Sequence, residues 1–258
     1  MTAPGSILLG TADPPPFSVE RAGADSPFVI VVDHAGRAVP AALGRLGLPG
    51  KAFDLHIAYD IGALGLATQL GSAIDACVIA QTFSRLVIDC NRAPGEPGSI
   101  VATSDGIAIP GNANLSDAER TARAAAIHSP YHRRIGEVLE ARRASRLPSL
   151  LICQHSFTPE MGGEARPWHV GVLHLGDSAV SATMLDLLRR EGDLIVGDNQ
   201  PYAMDGTDYT APFHACVHGC EMLELEVRQD LIADEAGQAA MADRLARLVP
   251  AAWKAARL

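Results

Sequence analysis

Basic residues are in deficit. Lysine and arginine number 21 against 30 aspartates and glutamates, a formal charge of -9. Such a chain has no concentrated cationic surface for a phosphate backbone, and no run of one sign reads as an interaction tail. Nucleic acid is therefore not an expected partner. A small anionic ligand is not excluded, because a few arginines in a dry pocket set the local potential whatever the net charge. Long apolar runs are missing too. The N-terminal stretch carries Pro14, Pro15 and Pro16, with neither a positive leader nor a segment of membrane-spanning length. These features predict a soluble, cytoplasmic protein with no membrane partner. Cysteine is scarce: Cys77, Cys90, Cys153, Cys216 and Cys220 make an odd set without a CxxC pair, which fits reduced thiols better than a disulfide framework. Cys216 and Cys220 stand near His214 and His218, but loosely spaced Cys and His on one segment are more often structural than zinc ligands.

Three familiar signatures are absent as well. No GxGxxG follows the first strand, no GxxxxGK[ST] occurs, and no GxSxG elbow precedes a helix. A Rossmann oxidoreductase, a P-loop enzyme and an α/β-hydrolase all lose weight.

What is present is a chain of 258 residues, 48% apolar, enough to bury a full core and read as one domain over residues 1–258 with an extended segment over 1–26. Phe28 to Val32 is a short, β-branched run that predicts a strand covered on both faces. Asp60 to Ile74 has helical spacing, and Ala76 to Ala80 and Arg85 to Ile88 read as two further strands. Ser116-x-x-Glu119 is a capping box opening a helical pattern toward Ser145, which Pro130 should kink or divide. Leu150 to Cys153, Val170 to Leu175 and Met222 to Val227 predict strands, Ala179 to Arg190 and Asp234 to Ala256 helices. The Gly-, Pro- and Asn-rich stretch Asn91 to Asn114 predicts a loop at the active site. Alternating strands and helices imply an α/β protein, a three-layer α/β/α sandwich on a mixed, largely parallel sheet.

Chemistry-bearing residues gather at the ends of these strands, where open α/β sheets bind ligands. His34 and His155 follow buried strands. Two neutral imidazoles and a carboxylate make a three-ligand zinc site with a fourth position for water. Asp60, ahead of an apolar helix, is the carboxylate assigned here, with a plain helix cap as its other reading. Arg85 precedes an apolar run and Asp89, Asn91 and Arg92 leave it. A guanidinium grips a carboxylate at two points, Asn91 adds a neutral donor, and a second arginine faces an oxyanion. Structural pairing of Arg85 and Arg92 with Asp89 is the alternative. At strand period Glu224 and Glu226 share one face, either a solvated edge or the site of a base that takes a proton from water.

Asp33-His34-Ala35-Gly36 with Pro40 downstream, Ser84-Arg85 to Asn91-Arg92, Pro130-Tyr131-His132, His155-Ser156-Phe157, Asn199-Gln200-Pro201-Tyr202 and Glu226-Val227-Arg228-Gln229-Asp230-Leu231 together resemble the N-formylglutamate amidohydrolase family over nearly the whole chain. The resemblance implies the phosphorylase/hydrolase-like sandwich of zinc carboxypeptidases and aspartoacylases. In those relatives a glutamate ligand closely follows the first zinc histidine. Here the third residue after His34 is Arg37, which directs the ligand assignment to Asp60. Their Asp-x-Asn-Arg motif matches Asp89-Cys90-Asn91-Arg92, so Asn91 and Arg92 are expected to hold a substrate carboxylate. Arg85 is expected to face the oxyanion, His155 to be the last zinc ligand and Glu226 the catalytic glutamate. The implied activity is zinc-dependent hydrolysis of N-formyl-L-glutamate or a similar small anionic N-acyl amino acid, as in histidine catabolism. Another zinc deacylase of different acyl specificity, or a metal-free small-molecule binder on the same scaffold, are the alternatives.

Overall fold

Most of the apolar runs marked out above enter a single seven-stranded sheet. The structure, a computed structural model, describes residues 8–176 and 178–258. The start of the N-terminal stretch read above as lacking a positive leader, residues 1–7, lies outside the described residues. In chain order the elements are β1 (Phe17–Glu20), β2 (Phe28–Val32), α1 (Ala63–Ala73), β3 (Cys77–Gln81), the hairpin β4 (Thr103–Ser104) and β5 (Ile107–Ala108), α2 (Asp117–Arg123), α3 (Ser129–Ala144) and β6 (Leu150–Phe157). There follow the hairpin β7 (Glu160–Met161) and β8 (Glu164–Ala165), β9 (Val170–Leu173), α4 (Ala179–Arg190), β10 (Val196–Asp198), α5 (Thr210–His218), β11 (Glu221–Arg228) and α6 (Glu235–Ala255).

The sheet order is β1-β3-β2-β6-β11-β9-β10. β3, β2, β6 and β11 run parallel. β1 and β9 are antiparallel to their neighbours β3 and β11, and β10 is parallel to β9. The sheet therefore reverses direction at the β11–β9 seam. Alternation along each strand divides the core in two. Ile30, Val32, Ile152, Leu223 and Leu225 pack with side chains of α1, α4 and α6 such as Leu66, Leu70, Met184 and Leu245. Val29, Val31, Leu151 and Cys153 face the other way, onto Leu86, Ile88, Ile127, Tyr131 and Ile135. At about 1.5–3 kcal/mol for each fully buried side chain of this size, the two layers fix the strand ends on which the site is built. The architecture is the expected mixed, largely parallel sheet between helices. Among the described residues no helix is long and apolar enough to cross a membrane.

Three local outcomes matter for the site. First, Arg85 to Ile88 is not a strand; it is a buried turn, with Val87 N donating to Ser84 O at 2.8 Å. Its apolar side chains point into the core under the sheet's C-terminal edge, and its backbone groups find partners outside any ladder, as buried peptide groups must. Asn112 Nδ2 donates to Leu86 O and Arg123 Nη1 to Val87 O, at 2.8 and 3.0 Å. Second, the capping box of Ser116 and Glu119 is formed, and the helix it opens is divided by a π turn over Ala124–His128. The break falls just ahead of Pro130, which has no N–H to return to the preceding turn. Third, β1, β10 and α5 were not anticipated. β10 is three residues long, and α5 is assembled from Pro, His, Cys and aromatic residues that are poor helix formers.

Candidate active site

Two strand ends and one loop converge on a single carboxylate oxygen. His34 follows β2, and His155 lies near the C-terminal end of β6. Asp60 N donates to His34 O at 2.9 Å, which ties the loop to β2. Two residues on, Gly62 has φ +81°, and a Cβ there would collide with the carbonyl of Ile232, so glycine lets the chain turn tightly behind Asp60 into α1. His155 Nδ1 lies 2.9 Å and His34 Nδ1 3.3 Å from the same Asp60 Oδ2. One ligand atom from each of these buried residues lies within 4.8 Å of the others.

The far nitrogens of both rings face carboxylates. His34 Nε2 is 2.7 Å from Asp89 Oδ1. His155 Nε2 is 3.5 Å from Asp33 Oδ2, and Thr210 Oγ1 donates to Asp33 Oδ1 at 2.9 Å. A carboxylate behind a ligating imidazole fixes its tautomer and raises its basicity. Burial pushes the Asp60 carboxyl up, but His34 and His155 outweigh it and hold the group well below the ordinary range. Burial lowers the His155 imidazole, yet its bonds to Asp33 and Asp60 prevail and raise it well above 6.5. Asp60 Oδ1 has no hydrogen-bond partner. Two imidazole nitrogens and a carboxylate oxygen, oriented from behind and with a spare oxygen, fit a borderline divalent cation such as zinc. The cluster of Cys216, Cys220, His214 and His218 does not: Cys216 is exposed, and among the described residues only His34, Asp60 and His155 form a ligand set.

These three residues line a cavity of about 730 Å³ together with Arg85, Asn91, Arg92, Glu224 and Glu226. Glu226 stands opposite His155 in the parallel ladder. Burial raises its carboxyl to about 8, with His155 opposing and Asp60 reinforcing the shift. Both glutamates of β11 are buried, Glu224 at 2% and Glu226 at 6% exposure, so the reading of this strand as a solvated edge does not hold. Arg85 forks onto Asp89 Oδ2 at 3.1 and 2.7 Å and reaches Asp60 Oδ1 at 3.5 Å. Arg92 Nη1 donates to Asn91 O at 2.7 Å and to Asp208 Oδ1 at 3.2 Å. Asn91 Oδ1 accepts from the amides of Tyr209 and Thr210, capping the start of α5, and Nδ2 donates to Asp208 at 3.4 Å.

Several residues of the site were given no role from sequence. His56 places its unpartnered Nδ1 3.7 Å from Asp60 Oδ1, at helical spacing that the sequence already displays. Asp33 and Asp89 open two of the motifs read from the sequence, but only the fold shows which ring each backs. Tyr202, Asp205 and Asp208 come from the 199–208 loop, which lies directly on the sheet because Cβ atoms at Gly171 and Gly197 would strike the carbonyl of Gln200. No motif announces that contact.

The sequence model of the N-formylglutamate amidohydrolase family matches residues 26–233. Among solved structures, the gene product Atu2144 from Agrobacterium tumefaciens is 36% identical, with 97% of this chain and 100% of that one covered and a TM-score of 0.94. The N-formylglutamate amidohydrolase from Ralstonia eutropha JMP134 is 20% identical over 94% of this chain and 98% of that one, with a TM-score of 0.62, a likeness of fold. No curated protein matches the sequence. With the family match spanning most of its length and the fold shared, this chain belongs to the N-formylglutamate amidohydrolase family.

Proposed function

We propose that this family member is a zinc-dependent amidohydrolase that cleaves N-formyl-L-glutamate or a similar N-acyl amino acid to formate, or another carboxylate, and the free amino acid. The observation that carries the reading is the convergence of His34, His155 and Asp60 on one oxygen, with Glu226 beside them in the same cavity. His34, Asp60 and His155 would hold the ion. A divalent ion bound there supplies a Lewis acid that acidifies water and polarises the amide carbonyl.

The remaining steps belong to the chain's own side chains. Glu226, buried and with Oε2 unpartnered, takes a proton from the attacking water and delivers it to the amide nitrogen as the C–N bond breaks. A carboxyl poised near neutral pH suits both halves of that transfer. Arg85, held in place by its fork onto Asp89, faces the oxygen that gains charge as water adds. Arg92 engages the substrate carboxylate with the N–H groups not used on Asp208 and Asn91, and Asn91 sets the position of that pair. The five free thiols fit a reducing cytoplasm.

The test is elemental analysis joined to a metal-supplemented hydrolysis screen of N-formyl, N-acetyl and N-succinyl amino acids. About one zinc per chain is expected, as three protein ligands and a water complete a tetrahedral site. Glu226→Gln should keep the zinc and lose roughly a hundred- to ten-thousand-fold in kcat. A protein that binds no divalent ion and gains no activity from any of them rejects the reading.

A further inference from the structure

Once the ligands, the base and the two lining arginines have their roles, a pair of polar side chains at the cavity mouth has none. Tyr202 closes the Asn199-Gln200-Pro201-Tyr202 motif, lines the cavity and is 36% exposed. Its loop is pinned: Asn199 Oδ1 accepts from His174 N at 2.9 Å, and Asn199 Nδ2 donates to His174 O at 3.0 Å. Against the ring stands Arg166, which directly follows the β7–β8 hairpin. Its Nη1 donates to Tyr202 Oη at 2.9 Å and to Thr158 Oγ1 at 3.4 Å, Nη2 meets Met161 Sδ, and the guanidinium carbon lies 4.8 Å from the centre of the Tyr202 ring. Tyr202, Thr158 and Met161 all line the cavity, so this guanidinium sits at its rim.

Two features of the pair point to an anion. Arg85 and Arg92 are matched to Asp89 and Asp208, whereas the side-chain acceptors of half-buried Arg166 among the described residues are all neutral, and its Nε makes no hydrogen bond to them. Its charge is left unanswered. Tyr202 Oη accepts from Arg166, so its own O–H hydrogen remains free to donate, and the cation behind it strengthens that donor. A phenol O–H beside guanidinium N–H groups is the complement of a carboxylate. Burial raises the Tyr202 phenol and Glu226 adds to the rise, while Arg166 and Arg85 oppose it; the hydroxyl therefore stands within electrostatic reach of the proposed base as well as of Arg166. With the acyl amide at the His34, Asp60 and His155 set and Arg92 on the α-carboxylate, the substrate side chain is the part left to reach this rim. We propose, resting on the amidohydrolase reading of the site, that Tyr202 and Arg166 form the subsite for a second, side-chain carboxylate, so that the enzyme selects Nα-acyl derivatives of acidic amino acids over their neutral isosteres.

The deciding measurement is calorimetric binding of L-glutamate, L-glutamine and L-norleucine to the zinc-supplemented protein, run beside hydrolysis of their Nα-formyl derivatives. Glutamate should bind about tenfold or more tighter than glutamine, its neutral isostere, as a charge-assisted two-point contact requires. In Arg166→Gln that ratio should collapse toward one, and Arg166→Lys, which keeps the charge and loses the fork, should recover part of it. A mere strut between hairpin and loop would shift all three ligands together and leave the ratio alone, which overturns the proposal. Tyr202→Phe removes a single O–H and should also lower the ratio, so it carries the test if Arg166→Gln does not fold. Glutamate and glutamine bound equally by the unaltered protein, or a preference that survives in Arg166→Gln, sinks the subsite. The expected binding pattern with no Nα-formyl compound cleaved upholds the subsite and sinks the hydrolytic reading. Hydrolysis that favours the glutamine or norleucine derivative upholds the hydrolytic reading and sinks the subsite.

Discussion

One carboxylate outside the ligand set organises much of the site. Asp89 accepts from Asn91 N at 2.9 Å, takes the Arg85 fork and faces His34 Nε2 at 2.7 Å. Asp89→Asn keeps the shape and removes the charge that orients the ring, so zinc affinity should fall about 10–100-fold in a chelator competition. Unchanged affinity would show that the packing around His34 suffices. Much at this scale was legible in the sequence: His34 and His155 stood at the ends of buried runs, and the alternation of β11 set Glu224 and Glu226 on one face. Asp60 was reachable because Arg37 occupies the place of a glutamate; in the fold Arg37 is exposed, pairs with Asp54 and stacks over Tyr59 at 5.5 Å. The roles of Asp33 and Asp89 were not legible, since each is defined by the imidazole it backs from a distant part of the chain.

Among the elements, the segment from Arg85 to Ile88 shows why an apolar run need not be a strand. Periodicity alone does not separate a buried turn from a covered strand, and what decides here is Arg123, 36 residues away from Val87. Its guanidinium is 2% exposed and meets only neutral oxygens: Val87 O at 3.0 Å, Asn112 Oδ1 at 2.7 Å and Gly111 O at 3.1 Å. Burial lowers it to about 10. Arg123→Met removes a costly buried charge but strands three acceptors, each worth about 1–3 kcal/mol when left unpaired, for a net loss of about 2–4 kcal/mol. The urea midpoint reads this directly, and hydrogen exchange should show the amides of residues 85–92 exposed first. A midpoint equal to the parent's would mean that methionine packing replaces the anchor. The helices, by contrast, followed local rules. α4 begins after Ser178, whose hydroxyl accepts from Ser181 N at 3.2 Å, and α6 after Asp234, whose carboxylate accepts from Gly237 N at 2.9 Å.

For the whole molecule the pH response follows from what is buried uncharged. Burial lowers His56, His128, His132 and His214 each to about 4, whereas an unfolded imidazole titrates near 6.5. Their contribution to stability is complete above about 6.5 and is lost as pH falls through about 4. Glu224 and Glu226, raised to about 7 and about 8, act in the opposite sense from about 4.5 upward. Four groups against two give a protein that loses stability on acidification below about pH 6.5. His214 lies stacked between His132 and His218 with Nδ1 unpartnered. His214→Gln should flatten the slope by up to about 1.4 kcal/mol per pH unit; parallel slopes of the urea midpoint from pH 4.5 to 6.5 would refute the assignment. The α/β class was legible at this scale from the alternation of runs, but the strand order was not, because neighbours in the sheet are set by long-range pairing that no local pattern carries. The reversal at the β11–β9 seam has a further consequence. The residues assigned to hold metal and move protons sit at the ends of β2, β6 and β11 and in the loop beside them, while Tyr202, Asp205 and Asp208 of the cavity wall hang from β10 through the 199–208 loop. Descendants of this chain can thus lengthen, shorten or recharge that loop without disturbing a ligand, and diversification of substrate range is decoupled from preservation of the reaction.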